Sequence, residues 1–242
     1  MGCKDIGFVS AVIVAGGKGE RLGRDVRKQY IMLGDYTILG HTLWVFTELE
    51  EVGEVIVVVP PEDLEFVRDV LLPEELGEFM YCKPISVATG GATRQDSVRN
   101  GLAAVDPNAN LVMIHDAARP FVQKNDIRKV LQKACECGGA ILAVPVKDTL
   151  KRCDKDGSIT GTIPRTGLYA AQTPQAFDVE KIRYAHNWAV SENVIATDDA
   201  MLFEKLGYEV AVAEGSCLNI KITTEEDLLF ARAIDSQIRQ KQ

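Results

Sequence analysis

Short apolar runs rich in β-branched residues recur along this chain with helical patterns between them, and that alternation restricts the fold more than any other feature. Strands are expected at residues 9–15, 54–59, 85–88, 111–115, 140–144, 209–213 and 218–222. Most of these runs are apolar almost throughout, as strands covered on both faces must be. Between them, residues 38–49 carry Leu39, Leu43, Phe46 and Leu49 at helical spacing, and 63–72 place Leu64, Val67 and Leu71 on one face. Residues 93–105, 125–137 and 198–206 are expected as helices on the same grounds. A last helix near 225–239 is announced by Thr223 with Glu226 three residues on, a capping-box spacing. The order of elements predicts an α/β fold with a mostly parallel sheet. With no internal repeat, charge block or Pro/Ser linker, residues 1–242 are expected to form one domain.

Charge narrows the partners. Lys and Arg number 27 against 35 Asp and Glu, a net −8, which argues against binding nucleic acid or an anionic membrane surface. An anionic ligand must then be held by local positive charge. The six cysteines, at 3, 82, 135, 137, 153 and 217, contain no C-x-x-C pair and no second cluster to complete a zinc site. They read as thiols in a reducing compartment. The first apolar run ends at Ala15, too short to span a membrane and without a signal-peptide layout, so a cytoplasmic location is expected.

The segment Ala15-Gly16-Gly17-Lys18-Gly19-Glu20-Arg21-Leu22-Gly23 follows the first strand. Glycines there allow backbone N–H groups to encircle phosphate oxygens, because no Cβ obstructs the approach. A tight turn after a strand would use the same residues. Charge favours the phosphate: residues 16–28 hold Lys18, Arg21, Arg24, Arg27 and Lys28 against Glu20 and Asp25, a surplus of three positive charges within an acidic chain. Neither a P-loop nor a G-x-G-x-x-G dinucleotide motif fits, since Leu22 stands where the third glycine belongs.

Other clusters lie near predicted strand ends. His115-Asp116-Ala117-Ala118-Arg119 puts an acid and a base where open α/β sheets bind ligands. Asp116 suits a cation or a substrate hydroxyl, while Arg119 supplies charge or fixes the aspartate, and a structural salt bridge is the plain alternative. Gly90-Gly91-Ala92-Thr93-Arg94-Gln95-Asp96-Ser97 opens a helix with free N–H groups and a hydroxyl, suited to a base edge, a phosphate or ordinary capping. Asn219 and Lys221 share one face of the last predicted strand, and the lysine suggests an anion opposite. His41, His115 and His186 follow no metal-ligand spacing and are expected to be packed or hydrogen-bonded. Residues 147–172 are polar and strand-like with a turn at Asp156-Gly157, and read as an arm reaching a partner subunit or as a hairpin folded over its own sheet.

Taken in order, AVIVAGGKGERLG, Lys28-Gln29, GGATRQDSV, VMIHDAARPF, PVKDTLKR, AAQTPQAF, ATDDA and NIKITTEEDL span nearly the whole chain. The series resembles the methylerythritol phosphate cytidylyltransferase family of the non-mevalonate isoprenoid pathway. The resemblance implies a Rossmann-like, mostly parallel sheet sandwiched by helices, of the nucleotide-diphospho-sugar transferase type, with a protruding β-hairpin arm at 147–172 and a homodimer. It also implies a reaction of CTP with 2-C-methyl-D-erythritol 4-phosphate, with Mg²⁺ held mainly by the CTP phosphates rather than by a protein metal site.

By the same resemblance, Arg21 and Lys28 stabilise the charged transition state, and Arg165 and Lys221 grip the acceptor phosphate, Arg165 coming from the neighbouring subunit. Asp116, Arg119, Thr149, Thr173 and Thr197 line the acceptor pocket, and Ala15, Gly16, Gly17, Gly91 and Ser97 surround the cytidine. Such a reaction explains why no general-base cluster stands out: a phosphate oxygen is already ionised near neutral pH. Relatives usually have Pro where this chain has Arg27, so a loop looser when empty is expected here, with the added cation partly offsetting that. The competing readings are a ribitol 5-phosphate cytidylyltransferase and a domain that senses CTP without turnover.

Overall fold

The computed structural model describes residues 6–16 and 27–240. Its strands, in chain order, are β1 (Val9–Val14), β2 (Met32–Leu33), β3 (Tyr36–Thr37), β4 (Val52–Val59), β5 (Ile85–Thr89), β6 (Leu111–Asp116), β7 (Gly139–Pro145), β8 (Leu150–Cys153), β9 (Ile159–Ile163), β10 (Tyr169–Asp178) and β11 (Ala211–Glu214). Seven of them form the central sheet in the order β11-β7-β10-β6-β1-β4-β5. Only β10 runs antiparallel to its neighbours; every other pairing in this sheet is parallel.

Helices cover both faces. They are α1 (Ile38–Thr47), α2 (Leu64–Phe66), α3 (Leu72–Leu76), α4 (Arg94–Ala103), α5 (Lys124–Cys137), α6 (Val179–Ser191), α7 (Asp199–Lys205) and α8 (Glu225–Arg239). The period-2 alternation of the strands divides the core. Val9, Ala11 and Ile13 of β1 join Val55, Val57 and Val59 of β4 against α1 and α5. Val12, Ile56, Val58, Val112 and Ile114 point the other way, against α4, α6 and α7. A satellite cluster of Ile31, Leu33, Ile38, Phe121, Ile222, Leu228 and Ala231 holds α8 to the body. None of the helices among the described residues is long and apolar enough to cross a membrane.

Several expectations need correction. Residues 218–222 pair with no strand; Ile222 instead donates its backbone N–H to Ala118 O at 2.9 Å while its side chain enters the satellite core. The capping box of α8 is made by Thr224 and Asp227, one residue beyond the pair named from sequence. The 63–72 helix is broken, with a π turn at Val67–Leu71 between α2 and α3. α6 was not foreseen, nor was β10, whose Gln, Thr and Pro hide a central strand; its pairing with β7 is irregular between Ala171 and Gln175, and Pro174 falls inside that interruption. The arm is also shorter than 147–172, because Tyr169–Gln172 begin β10. Its core is the β8–β9 pair, which joins no other sheet, and residues 151–160 are all exposed.

Phe177 of β10 is fully buried with its ring centroid 4.9 Å from that of Phe203 on α7. Phe177→Ala is therefore expected to destabilise the fold by about 3–5 kcal/mol, measured by urea denaturation; a loss below about 1 kcal/mol would mean that β10 is not a core strand.

Candidate active site

The C-terminal ends of β1, β4, β5 and β6 come together at one edge of the sheet, where the chain leaves each strand for a loop. A cleft of about 500 Å³ opens there, bordered by Ala15 and Gly16 after β1, Pro60 to Glu62 after β4, Gly90 to Arg94 after β5, and Asp116 at the end of β6. Arg27, Lys28, Gln29, Ser97 and Lys221 add to its polar lining. This is where open α/β sheets take ligands, because the loops diverge and helix N-termini point inward.

The glycine-lined side is built for close approach. Gly91 donates its N–H to Ser97 Oγ at 3.1 Å, and Ser97 Oγ–H donates to Thr93 O at 2.9 Å, while Thr93 and Asp96 form the capping box of α4. A Cβ on Gly91 would meet Asp96 Cβ at 2.3 Å, so only glycine lets this loop fold onto its helix. Gln29, buried below, donates to Ala15 O at 2.7 Å and fixes the exit of β1. Arg27 reaches across the cleft mouth to Glu62 and to Asp63 Oδ2, the latter at 3.0 Å. Its backbone sits at φ −61°, ψ 140°, a geometry a proline also adopts, and the ion pairs hold this residue; the rest of the loop expected to be looser, 17–26, lies outside the described residues.

At the other side stands a network of charges. Asp116 is buried, and its carboxylate accepts from Arg94 Nε at 3.0 Å and Lys221 Nζ at 2.7 Å, with Arg119 Nε at 4.0 Å. Burial alone would raise this carboxyl, but the charges of Arg94, Lys221 and Arg119 outweigh it and hold the group well below the usual carboxylate range. Arg94 also gives Nη1 to Asp199 Oδ2 at 2.9 Å, and Asp199 Oδ1 lies 3.2 Å from His186 Nε2. Arg119 donates to Asn219 O at 2.8 Å, and Asn219 Nδ2 donates to Thr173 O at 2.9 Å. Ile220 and Ile222 pack toward the satellite core, which turns Lys221 the opposite way, onto Asp116. The anion that Lys221 suggested in sequence is thus a protein carboxylate.

Of the residues named from sequence, Ala15, Gly16, Lys28, Gly91, Ser97, Asp116 and Lys221 border the cleft, and Arg119 adjoins it. Thr173 receives the Asp116 backbone N–H on Oγ1 at 3.0 Å and so supports the site from below. Thr197 is exposed, its hydroxyl 3.7 Å from Met201 Sδ; Thr149 and Arg165 are exposed on the arm, with Arg165 tied to Lys147 O. None of these three borders the cleft. Gly17 and Arg21 lie outside the described residues. Sequence reasoning passed over Arg94 and Asp199, although both stand in the quoted GGATRQDSV and ATDDA. An arginine in the first turn of a helix, against the macrodipole, was the available signal.

A glycine-lined cleft at parallel strand ends, rimmed by cations, is the layout of a nucleotidyltransferase. The IspD model, described as 2-C-methyl-D-erythritol 4-phosphate cytidylyltransferase, matches residues 9–237. The enzyme of that name from Alkaliphilus oremlandii is 42% identical over 96% of each chain. That from Halalkalibacterium halodurans is 44% identical over 93% of this chain and 96% of its own. The crystal structure of 4-diphosphocytidyl-2C-methyl-D-erythritol synthase from Anaerococcus prevotii superposes with a TM-score of 0.82 at 33% identity, covering 95% of this chain and 96% of that one. The chain belongs to the IspD family of 2-C-methyl-D-erythritol 4-phosphate cytidylyltransferases.

His115 is fully buried next to the network, with Nδ1 3.1 Å from Thr173 Oγ1 and Nε2 3.1 Å from Arg119 O. Burial is the largest influence and pushes its pKa down to about 4. Below the unfolded value of about 6.5 the unfolded chain binds a proton that the folded chain refuses, so stability falls as pH drops from there toward 4. The loss is about 1.4 kcal/mol per pH unit in that window. His115→Gln should flatten this slope in denaturation measured between pH 7 and pH 4.5; a variant with the same slope as the parent would remove His115 as its source.

Proposed function

We propose that this chain transfers the cytidylyl group of CTP to 2-C-methyl-D-erythritol 4-phosphate, giving 4-diphosphocytidyl-2-C-methyl-D-erythritol and pyrophosphate in the non-mevalonate pathway. The observation that carries this reading is the pairing of a glycine-lined pocket with a surplus of cations over carboxylates at its far end: Arg94, Arg119 and Lys221 converge on Asp116. A phosphate oxygen of the acceptor attacks the α-phosphorus of CTP. A new P–O bond forms, the bond to the β-phosphate breaks, and pyrophosphate leaves with the electron pair. The attacking oxygen is ionised near neutral pH because the second pKa of a phosphate monoester is about 6, so no side chain has to take its proton. What the site must supply is charge neutralisation and alignment of two polyanions.

Lys28, on the cleft wall, and Arg21 take the transition-state charge in this reading. Ala15, Gly16, Gly17, Gly91 and Ser97 enclose the cytidine, where main chain and small side chains leave room for a pyrimidine. Lys221 holds the acceptor phosphate, with Asp116, Arg119, Thr149, Thr173 and Thr197 around the polyol. Among the described residues, the acidic side chains bordering the cleft are already engaged, Asp116 by Arg94 and Lys221 and Glu62 by Arg27, which favours a Mg²⁺ carried by the triphosphate over one caged by the protein. When bound, Mg²⁺ neutralises phosphate charge and orients the leaving group.

Arg165 sits on an exposed arm, tied to Lys147 of its own chain and away from the cleft border, which supports its delivery into the site of a neighbouring copy. A bare two-stranded hairpin is marginal in water, and Ile159 on it is 64% exposed, so the arm favours a homodimer in which a partner covers it. Among the described residues Cys82, Cys137, Cys153 and Cys217 are free thiols, in keeping with a cytoplasmic enzyme.

A pyrophosphate-release assay crossing the four nucleoside triphosphates with methylerythritol phosphate, ribitol phosphate and sugar phosphates tests the assignment. Turnover is expected with CTP and methylerythritol phosphate and to require a divalent cation; faster turnover of ribitol phosphate, or binding of CTP with no release, would overturn it. Lys28→Ala should lower kcat by at least about 10²-fold with the fold intact, and near-normal turnover would take Lys28 out of the mechanism. Arg165→Ala should raise KM for the acceptor more than KM for CTP, whereas equal effects would count against the arm.

A further inference from the structure

Arg94 is not needed to make its helix. It occupies the first position of α4, where a cation opposes the helix dipole, and Thr93 with Asp96 already cap that end. Its guanidinium instead joins two carboxylates from distant parts of the chain, Nε to Asp116 Oδ1 at 3.0 Å and Nη1 to Asp199 Oδ2 at 2.9 Å. Asp199 cannot swing away. Its backbone N–H donates to Gln175 Oε1 at 3.1 Å, its other carboxylate oxygen faces His186, and its side chain is only 2% exposed.

This arrangement bears on a conflict within the site. Lys221 is spent on Asp116 at 2.7 Å, yet the acceptor phosphate needs that same ammonium group. Were Lys221 the sole partner of Asp116, drawing it away would leave a buried carboxylate uncompensated, which is among the costlier events in a protein interior. Arg94 removes that obstacle, because it contacts the opposite carboxylate oxygen and is itself fixed by Asp199. Arg119 gives weaker support: its Nη1 is committed to Asn219 O, and its Nε stands 4.0 Å from the carboxylate, beyond hydrogen-bond distance.

We propose that Arg94, anchored by Asp199, is a positioning residue that keeps Asp116 ionised and in place so that Lys221 can move from Asp116 to the phosphate of the acceptor. The proposal rests on the reading of Lys221 as the acceptor-phosphate ligand. It predicts a defect confined to the acceptor side although Arg94 grows from the loop that borders the nucleotide pocket.

The test is steady-state kinetics of the full-length chain, with CTP and acceptor varied separately, for Arg94→Gln, Arg94→Lys, Asp116→Asn and the Arg94→Gln/Asp116→Asn double variant. Arg94→Gln should raise KM for the acceptor about tenfold, with KM for CTP changed less than about twofold. Arg94→Lys should recover little, since an ammonium cannot fork between two carboxylates. In the Asp116→Asn background the Arg94 substitution should add almost nothing, because the carboxylate it serves is gone. Equal rises in both KM values, or full additivity with Asp116→Asn, would overturn the proposal. If Arg94→Gln does not fold, the Arg94→Lys split decides. A parent enzyme that turns over no acceptor would instead strike the function proposed above, which keeps the two failures apart.

Discussion

A carboxylate buried at the end of a central strand persists only if cations meet it, and Asp116 is met by Arg94, Lys221 and Arg119. That one convergence ties together elements far apart in sequence. α4 contributes Arg94, the segment before α8 contributes Lys221, and the turn after β6 contributes Arg119. Through Arg94 and Asp199 it also reaches α7. Positive charge is therefore concentrated at the strand ends of a chain whose net charge is −8. Arg94, Arg119 and Lys221 exceed by one the two carboxylates they meet, Asp116 and Asp199, and a local surplus of that sign favours the approach of phosphorylated ligands.

The sheet makes the convergence possible. Parallel pairing of β1 with β4 and β6, and of β4 with β5, aligns four strand ends at one edge, so loops separated by tens of residues become neighbours. Glycines at 16, 90 and 91 keep the β1 and β5 side of that edge open enough for backbone to approach a ligand. The antiparallel β10 inserts Thr173 beneath the β6 terminus, where its hydroxyl takes the Asp116 amide and its carbonyl takes Asn219. Support of this kind holds the Asp116 end of the cleft in place, and Lys221, 37% exposed, is the least buried of the three cations that meet Asp116.

Much of this could be read from the chain alone, and the reasons are physical. Continuous apolar runs of Val and Ile mark the buried parallel strands, and loops carrying Gly16, Gly91 and Asp116 after such runs must sit at strand ends. β10 escaped notice because Tyr169–Asp178 has no β-branched run and carries a proline, and its burial comes from neighbours on both sides rather than from its own composition. Residues 218–222 alternate like a strand, but the partner they answer to is the satellite core under Ile220 and Ile222. Arg94 and Asp199 were hidden for a different reason. Their meaning lies in a pairing across more than a hundred residues, which no local spacing encodes.

The account's central claim is that the glycine-lined strand ends and the Asp116 cluster are two halves of one site. A crystal structure of the chain with CTP, Mg²⁺ and the acceptor, or a non-hydrolysable analogue of the nucleotide, tests it most directly. The cytosine should lie against Ala15, Gly91 and Ser97, the α-phosphate beside Lys28, and the acceptor phosphate on Lys221 after that ammonium has left Asp116. A triphosphate seated away from the β1 and β5 loops, or an acceptor bound with the Lys221–Asp116 pair unbroken, would contradict it.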